Sequence, residues 1–242
     1  MRLMIGLLAA IPMVLGASFG RAAVIADFAQ DFSTTSATPG NWMYGYTASI
    51  GATPVAMGAT TLYGAGNEVF AWSPTGTFWP TIALNTSAGA VSFGAGNAVT
   101  LAAGQGLLHP GQFGDFADAR LTVPTAGAAT LSVTFSGIDA VGTSTDVHVL
   151  LNGSSLFSAL VNGLGATQAY STTMTFAAGD VVDFLVGVGS NGNYVDDSTG
   201  FYATLTSATE TSVPEPGALA LLLSGVVALG AVRRRAGSTA TA

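Results

Sequence analysis

A period-two alternation of apolar and polar residues recurs across the C-terminal half of this chain and limits what it can fold into. Leu131, Val133 and Phe135 alternate with Thr130, Ser132, Thr134 and Ser136. Val147 and Val149 alternate with Asp146 and His148, and Met174 and Phe176 with Thr173 and Thr175. Val182, Phe184 and Val186 share one side of the next segment, opposite Val181, Asp183 and Leu185; Phe201, Ala203 and Leu205 close the series. Successive side chains of a strand point to opposite faces, so each segment has a greasy side that needs a second layer to cover it. Asn152-Gly153 divides two such segments and is the strongest short hairpin signal. Ala178-Gly179-Asp180 and Asn191-Gly192-Asn193 punctuate others. Strands spaced by about 8–12 residues with turns between them predict an all-β chain, an antiparallel β-sandwich or jelly roll. From 24 to 212 no stretch keeps helical spacing with caps, and no internal repeat stands out. Pro124 and the Gly104–Gly114 region read as long connections within one domain.

Composition agrees and narrows the chemistry. Only 8% of the 242 residues are charged, where about a quarter is typical. The 32 glycines suit tight turns better than helices. Cysteine and lysine are both absent, which excludes disulfides, thiolate zinc sites, thiol nucleophiles and Schiff-base lysines. All six positive charges are arginines, and five of them (Arg2, Arg21, Arg233, Arg234 and Arg235) sit at the ends. Residues 23–212 therefore set Arg120 alone against twelve of the thirteen carboxylates, Glu215 being the other. Affinity for phosphates comes mainly from Lys and Arg, so no nucleic-acid partner is expected.

The two ends read as addresses. Residues 1–22 place Arg2 before an apolar run from Leu3 to Ala17, followed by small residues with Gly20 and Ala22 at the spacing a signal peptidase accepts. That is the three-part pattern of a secretory signal peptide. It implies the general secretion machinery and signal peptidase as partners. At the other end, Val213, Pro214, Glu215 and Pro216 cannot be helical, because proline holds its predecessor extended. Residues 217–232 carry no charge, and Arg233, Arg234 and Arg235 follow. An apolar segment ending in a basic cluster is a membrane stop with the arginines on the cytoplasmic side. Sixteen residues of helix span about 24 Å, just short of a hydrocarbon core.

The tail VPEPGALALLLSGVVALGAVRRR, over residues 213–235, resembles the PEP-CTERM sorting signal of exported Gram-negative bacterial proteins. Gly217-Ala218 stands where that signal usually has a small hydroxyl residue. The resemblance implies recognition and removal of the tail by exosortase, a membrane transpeptidase. It also implies a transient stay in the inner membrane and delivery to the cell surface or extracellular matrix. An ordinary single-span anchor is the alternative for the same residues. The expected organisation is a signal peptide at 1–22, a β-sandwich at 23–212 and a sorting tail at 213–242. Residues 108–200, through LHPGQFGDFADARLTVPTAG, SGIDAVGTSTDVHVLLNG, AAGDVVDF and NGNYVDDSTG, more weakly resemble a carbohydrate-binding-type jelly-roll module of exported proteins whose ligand is generally unassigned.

Within the domain the candidate chemistry is sparse. His109 and His148 are the only histidines; His109 is expected in a Leu-His-Pro-Gly loop and His148 on a strand face. Gly187-Val188-Gly189-Ser190-Asn191-Gly192 fits G-x-G-x-x-G, but a dinucleotide fingerprint must open a helix, and this one runs toward another strand. Asp139, Asp146, Asp196 and Asp197 flank strands beside Ser and Thr. They could supply oxygens to a structural Ca2+, or simply cap the turns they occupy; no other cofactor is expected. Trp42, Trp72 and Trp79 could stack on sugar rings or fill the core, where aromatics bury their largest areas. Trp72 and Trp79, beside proline-bearing loops, are the stronger ligand candidates. The sequence thus predicts a non-catalytic surface or matrix protein associated with exopolysaccharide. A secreted polysaccharide hydrolase with paired carboxylates is the alternative.

Overall fold

The structure, a computed structural model, describes residues 22–208. The signal peptide expected at 1–22, apart from Ala22, and the sorting tail expected at 213–242 lie outside them. Among the described residues no helix is long and apolar enough to cross a membrane.

The strands in chain order are β1 (Val24–Asp27), β2 (Trp42–Thr47), β3 (Val55–Ala56), β4 (Ala59–Tyr63), β5 (Val69–Ser73), β6 (Thr81–Asn85), β7 (Val91–Phe93) and β8 (Val99–Leu101). They continue as β9 (Gly106–His109), β10 (Phe116–Thr122), β11 (Gly127–Gly137), β12 (Ser144–Leu151), β13 (Ser154–Asn162), β14 (Thr167–Phe176), β15 (Val181–Gly187) and β16 (Thr199–Ser207). A single helical turn, α1 (Phe28–Asp31), follows β1. The fold is an antiparallel β-sandwich. The larger sheet runs β14-β11-β16-β9-β6-β5-β4, with β1 also paired to β16; the smaller runs β13-β12-β15-β10-β2-β3. The hairpin β7-β8 stands apart.

The predicted alternation becomes the core. Leu131, Val133, Phe135, Phe201, Ala203 and Leu205 from the larger sheet meet Val147, Val149, Val182, Phe184 and Val186 from the smaller. On the outside of the larger sheet, hydroxyls pair across β11 and β14: Thr130 with Thr173 at 2.8 Å and Ser132 with Ser171 at 3.0 Å. Asn152 (φ 51°) and Gly153 (φ 78°) form the two-residue turn between β12 and β13, with the positive φ at both positions that a type I′ hairpin needs. The Ala178-Gly179-Asp180 turn instead carries the chain from the edge of the larger sheet (β14) to the middle of the smaller (β15).

At the centre, Phe28 from α1 packs edge-on against Phe201 (4.9 Å between ring centroids) and Trp42 (5.4 Å). Asp27 accepts hydrogen bonds from the Ala29 and Gln30 amides, capping α1 and holding Phe28 in place. Gly106 on β9 makes room, because a Cβ there would lie 2.6 Å from the Phe28 ring.

Two sequence expectations need correction. The Gly104–Gly114 region contains β9, a central strand of the larger sheet, and His109 is its last residue. All four β9 residues are buried, as are all five of β6. A strand covered on both faces loses the alternation that would reveal it. The second cover is the β7-β8 hairpin, whose Val91, Val99 and Leu101 pack with Val69, Ala71, Ala83 and Leu107 outside the larger sheet. Likewise Asp183 and Leu185, on the outer face of the smaller sheet, are buried. The segment joining β2 to β3 crosses that face. A Cβ on Gly51 would come within 3.6 Å of the Gly153 carbonyl in the β12–β13 turn, three strands away from β2.

The Gly-rich run at 187–192 closes β15 and forms one 3-10 turn at Gly189–Asn191. No α-helix follows it, as its context predicted.

Candidate functional site

The most developed concavity lies outside the larger sheet, where the β7-β8 hairpin and the 188–198 connection rise above β6 and β9. Its cavity volume is about 380 Å³. Thr81 and Ala83 of β6 and Leu107 and His109 of β9 form its floor. Tyr63 and Phe93, stacked at 5.2 Å, form one wall; Trp79, Val141, Tyr194 and Val195 form the other side. Asp139, Asp196 and Ser198 supply oxygen atoms.

His109 is the best-defined polar group of this groove. Its ring stacks on Trp79 with centroids 3.8 Å apart and an interplanar angle of 27°. Tyr194 meets it edge-on at 6.3 Å. Nδ1 lies 2.9 Å from the Pro110 carbonyl oxygen, which can only accept, so Nδ1 carries the hydrogen. Burial pushes the imidazole pKa down to about 4, against a smaller upward pull from the Pro110 carbonyl. The ring is therefore neutral near pH 7, and Nε2 keeps its lone pair as an acceptor.

Trp79 is thus one of the groove's walls, but the other two tryptophans belong to the interior. Trp42 is buried in the main core and donates its indole N–H to Asp31 Oδ2 at 3.1 Å. Trp72 is also buried, with its indole N–H on the Ser33 carbonyl at 2.8 Å. Neither offers a free ring face, so the expectation that Trp72 stacks on a ligand is corrected. A tryptophan buried on both faces spends its apolar area on the core, and its N–H needs a protein acceptor.

The four candidate metal-binding aspartates gather at the same end of the sandwich without forming a chelating group. Asp139 Oδ1 accepts the Val141 amide at 3.0 Å, Asp146 Oδ1 the Gly189 amide at 2.8 Å, and Asp197 Oδ1 the Ser144 amide at 2.8 Å. Asp196 sits in a left-handed conformation, φ 65°. Asp139 therefore caps its own turn, whereas Asp146 and Asp197 tie together segments far apart in the sequence. Among the described residues no three His, Cys, Asp or Glu side chains come together to hold a metal ion. Electrostatics still links them. Burial pushes Asp197 up to about 7, and repulsion from Asp196, Asp139 and Asp146 adds to that. Its Oδ2 is closed off from solvent with no partner. Asp139 is also raised, first by burial and then by Asp196. Burial would raise Asp146 as well, but hydrogen bonds from His148 Nε2 (2.8 Å) and the Gly189 amide outweigh it and hold its carboxyl low.

A second carboxylate group lies on the outer face of the smaller sheet. Arg120 of β10 grips Asp183 of β15 through Nε (2.5 Å) and Nη2 (3.1 Å). Both oxygens of the adjacent Asp118 are buried without a partner. Burial and the nearby Asp183 raise its pKa well above the ordinary range, against the opposing pull of Arg120.

Tyr63, Phe93, His109 and Tyr194 were not foreseen as groove residues. Each stands beside a turn former in the sequence: Tyr63-Gly64, Phe93-Gly94, His109-Pro110 and Asn193-Tyr194. That signal places Tyr63, Phe93 and His109 at strand ends and Tyr194 in a loop. It does not bring residues 63 and 194 together.

No family model and no curated protein matches this chain. Several solved structures resemble its backbone. The CBM51 module of Clostridium perfringens GH95, determined with methyl-galactose, is 12% identical, covering 63% of this chain and 95% of that one at a TM-score of 0.35. A family 35 carbohydrate-binding module from Clostridium thermocellum is 11% identical, covering 62% and 100% at a TM-score of 0.29. Rabbit GITRL is 13% identical, covering 38% and 74% at a TM-score of 0.26. At these scores the similarity assigns neither a family nor a ligand.

Proposed function

We propose that this chain is an exported, non-catalytic surface or matrix protein whose sandwich holds polysaccharide in the groove above β6 and β9. One observation carries the reading. Trp79, Tyr63, Phe93 and Tyr194 converge around a neutral His109 and the oxygens of Asp139, Asp196 and Ser198. Aromatic walls with a few placed polar groups are what a small-molecule or sugar site requires. The apolar C–H face of a sugar ring packs on the aromatic walls, and its hydroxyls donate to the oxygens and to His109 Nε2.

The ends of the chain support export. An apolar leader at 1–22 and the Pro214-Glu215-Pro216 tail with Arg233, Arg234 and Arg235 fit passage through general secretion, signal peptidase and exosortase. The protein would reside briefly in the inner membrane and then at the cell surface or in the matrix, associated with exopolysaccharide. The test is retention of the purified protein on the producer's exopolysaccharide, with Trp79→Ala expected to abolish it. For sorting, intact-mass analysis of surface material should show a form lacking Gly217 onward; arginines still present there would refute processing.

A second reading has a specific observation behind it. Asp118, an acid with a raised pKa, neighbours Asp183, and glycosidases use such pairs. Asp118 and Asp183 are, however, only 1% and 2% exposed beneath the β2–β3 segment, which keeps a sugar out. Turnover of glycan by the purified protein, lost on Asp118→Asn, would favour the hydrolase.

A further inference from the structure

We propose that the groove is selective by charge: it takes uncharged, hydroxyl-rich glycans and rejects glycans bearing uronate, sulfate or phosphate groups. This rests on the sugar-binding reading above and names its ligand class.

The argument is an inventory of donors and charges. The groove contains no Lys or Arg side chain. The single arginine among residues 22–208, Arg120, is held by Asp183 on the outer face of the smaller sheet. The groove opens on the outer face of the other sheet, so the whole sandwich lies between them. The polar side-chain groups that remain are Asp139, Asp196, Ser198, Thr81 (its hydroxyl already donating to the Phe78 carbonyl), the Tyr63 and Tyr194 hydroxyls, the uncharged Trp79 indole N–H, and His109. His109 is neutral and presents an acceptor, because its Nδ1–H is spent on Pro110. The groove therefore carries no positive charge near neutral pH. Burial and Asp196 raise Asp139, which can reduce the negative charge but cannot create a positive one.

A sugar hydroxyl meets this inventory well, since it can donate to a carboxylate or to Nε2 while its ring stacks. An anionic substituent must give up its hydration without gaining a cation, and it faces Asp139 and Asp196 at close range. Burying an unpaired charge beside like charges is heavily unfavourable, and like-charge juxtaposition is how interfaces suppress wrong partners.

The experiment is affinity electrophoresis of the purified full chain through neutral probes (dextran, mannan, galactan) and acidic probes (alginate, heparin), at low and at high salt. At least one neutral polymer should retard the protein independently of salt, with alginate and heparin weaker by about tenfold or more. Val195→Arg, at a wall position 48% exposed where folding is not at stake, should add alginate retardation that high salt removes. Retardation by alginate or heparin equal to the best neutral polymer would overturn the charge selectivity while leaving sugar binding intact. So would a Val195→Arg protein that still ignores alginate. Failure to bind any polymer of either class would refute the sugar-binding reading itself, and the selectivity with it.

Discussion

Trp79 and His109 stack face to face with ring centroids 3.8 Å apart, at the junction of a connecting segment and the end of a central strand. The contact fixes both partners. The indole closes one face of the imidazole, and the Pro110 carbonyl fixes the tautomer, so Nε2 is left as an acceptor. An aromatic wall and an oriented polar group thus arise from one pair of residues that the fold brings together from distant positions in the sequence.

Trp42 and Trp79 should separate stability from binding. Trp42→Ala removes a buried indole from the aromatic cluster with Phe28 and Phe184. It should cost about 3–5 kcal/mol in denaturant unfolding. Trp79→Ala, at a partly buried position in a groove wall, should cost less, about 1 kcal/mol. Similar losses for the two variants would show that Trp79 is a core residue.

The pH dependence of stability has two opposed sources. The pKa of His109, near 4, lies below the unfolded value of 6.5. The unfolded chain therefore takes up its proton first, and stability falls as pH drops from about 6.5 toward 4. Asp197, near 7, lies above its unfolded value of 3.8. The folded chain holds that proton longer, so its contribution is present below about 4 and is lost as pH rises through 7. Asp197→Asn removes the second source alone. Its melting temperature relative to the unsubstituted protein should rise from pH 4 to pH 8. A difference that does not change with pH would show that Asp197 is not raised.

Arg120 holds Asp183 with Asp118 close by, so its removal leaves buried carboxylates uncompensated. Arg120→Leu should destabilise by about 3 kcal/mol, the lower end for breaking a buried pair, because the guanidinium keeps some solvent. Arg120→Leu combined with Asp183→Leu should recover much of that loss. A double variant no better than the single one would mean that packing, not charge, is the main contribution of Arg120.

Asp139, Asp146 and Asp197 each accept a backbone amide, and no three metal-ligating side chains gather among the described residues. A chelator should therefore leave the melting temperature unchanged. A drop of several degrees would reveal a native-state cation.

The sandwich was legible where one face of a strand meets solvent. β11, β14 and β16 show that alternation, and Asn152-Gly153 marks its hairpin with the two positive φ values it needs. β15 is buried on both faces and still shows a polar residue on its outer one, because Asp183 there is paired with Arg120. β6 and β9 were illegible because the β7-β8 hairpin covers their second face and removes the polar half of the pattern. The groove depends on those same strands, so most of it was hidden too. Trp79 could be singled out by its neighbours Phe78 and Pro80. His109 read as a loop residue, and nothing in the spacing of Tyr63, Phe93 and Tyr194 indicates that the fold brings them together. Trp72 had the same proline-flanked context as Trp79 yet turned inward, because local composition does not reveal which face of β5 meets the core.

Titration calorimetry of the purified protein and of Trp79→Ala with the neutral polysaccharide that retains the protein best tests the groove most directly. The account predicts saturable, salt-independent heat for the first and none for the second, with both proteins equally folded. Identical binding curves for the two would contradict it.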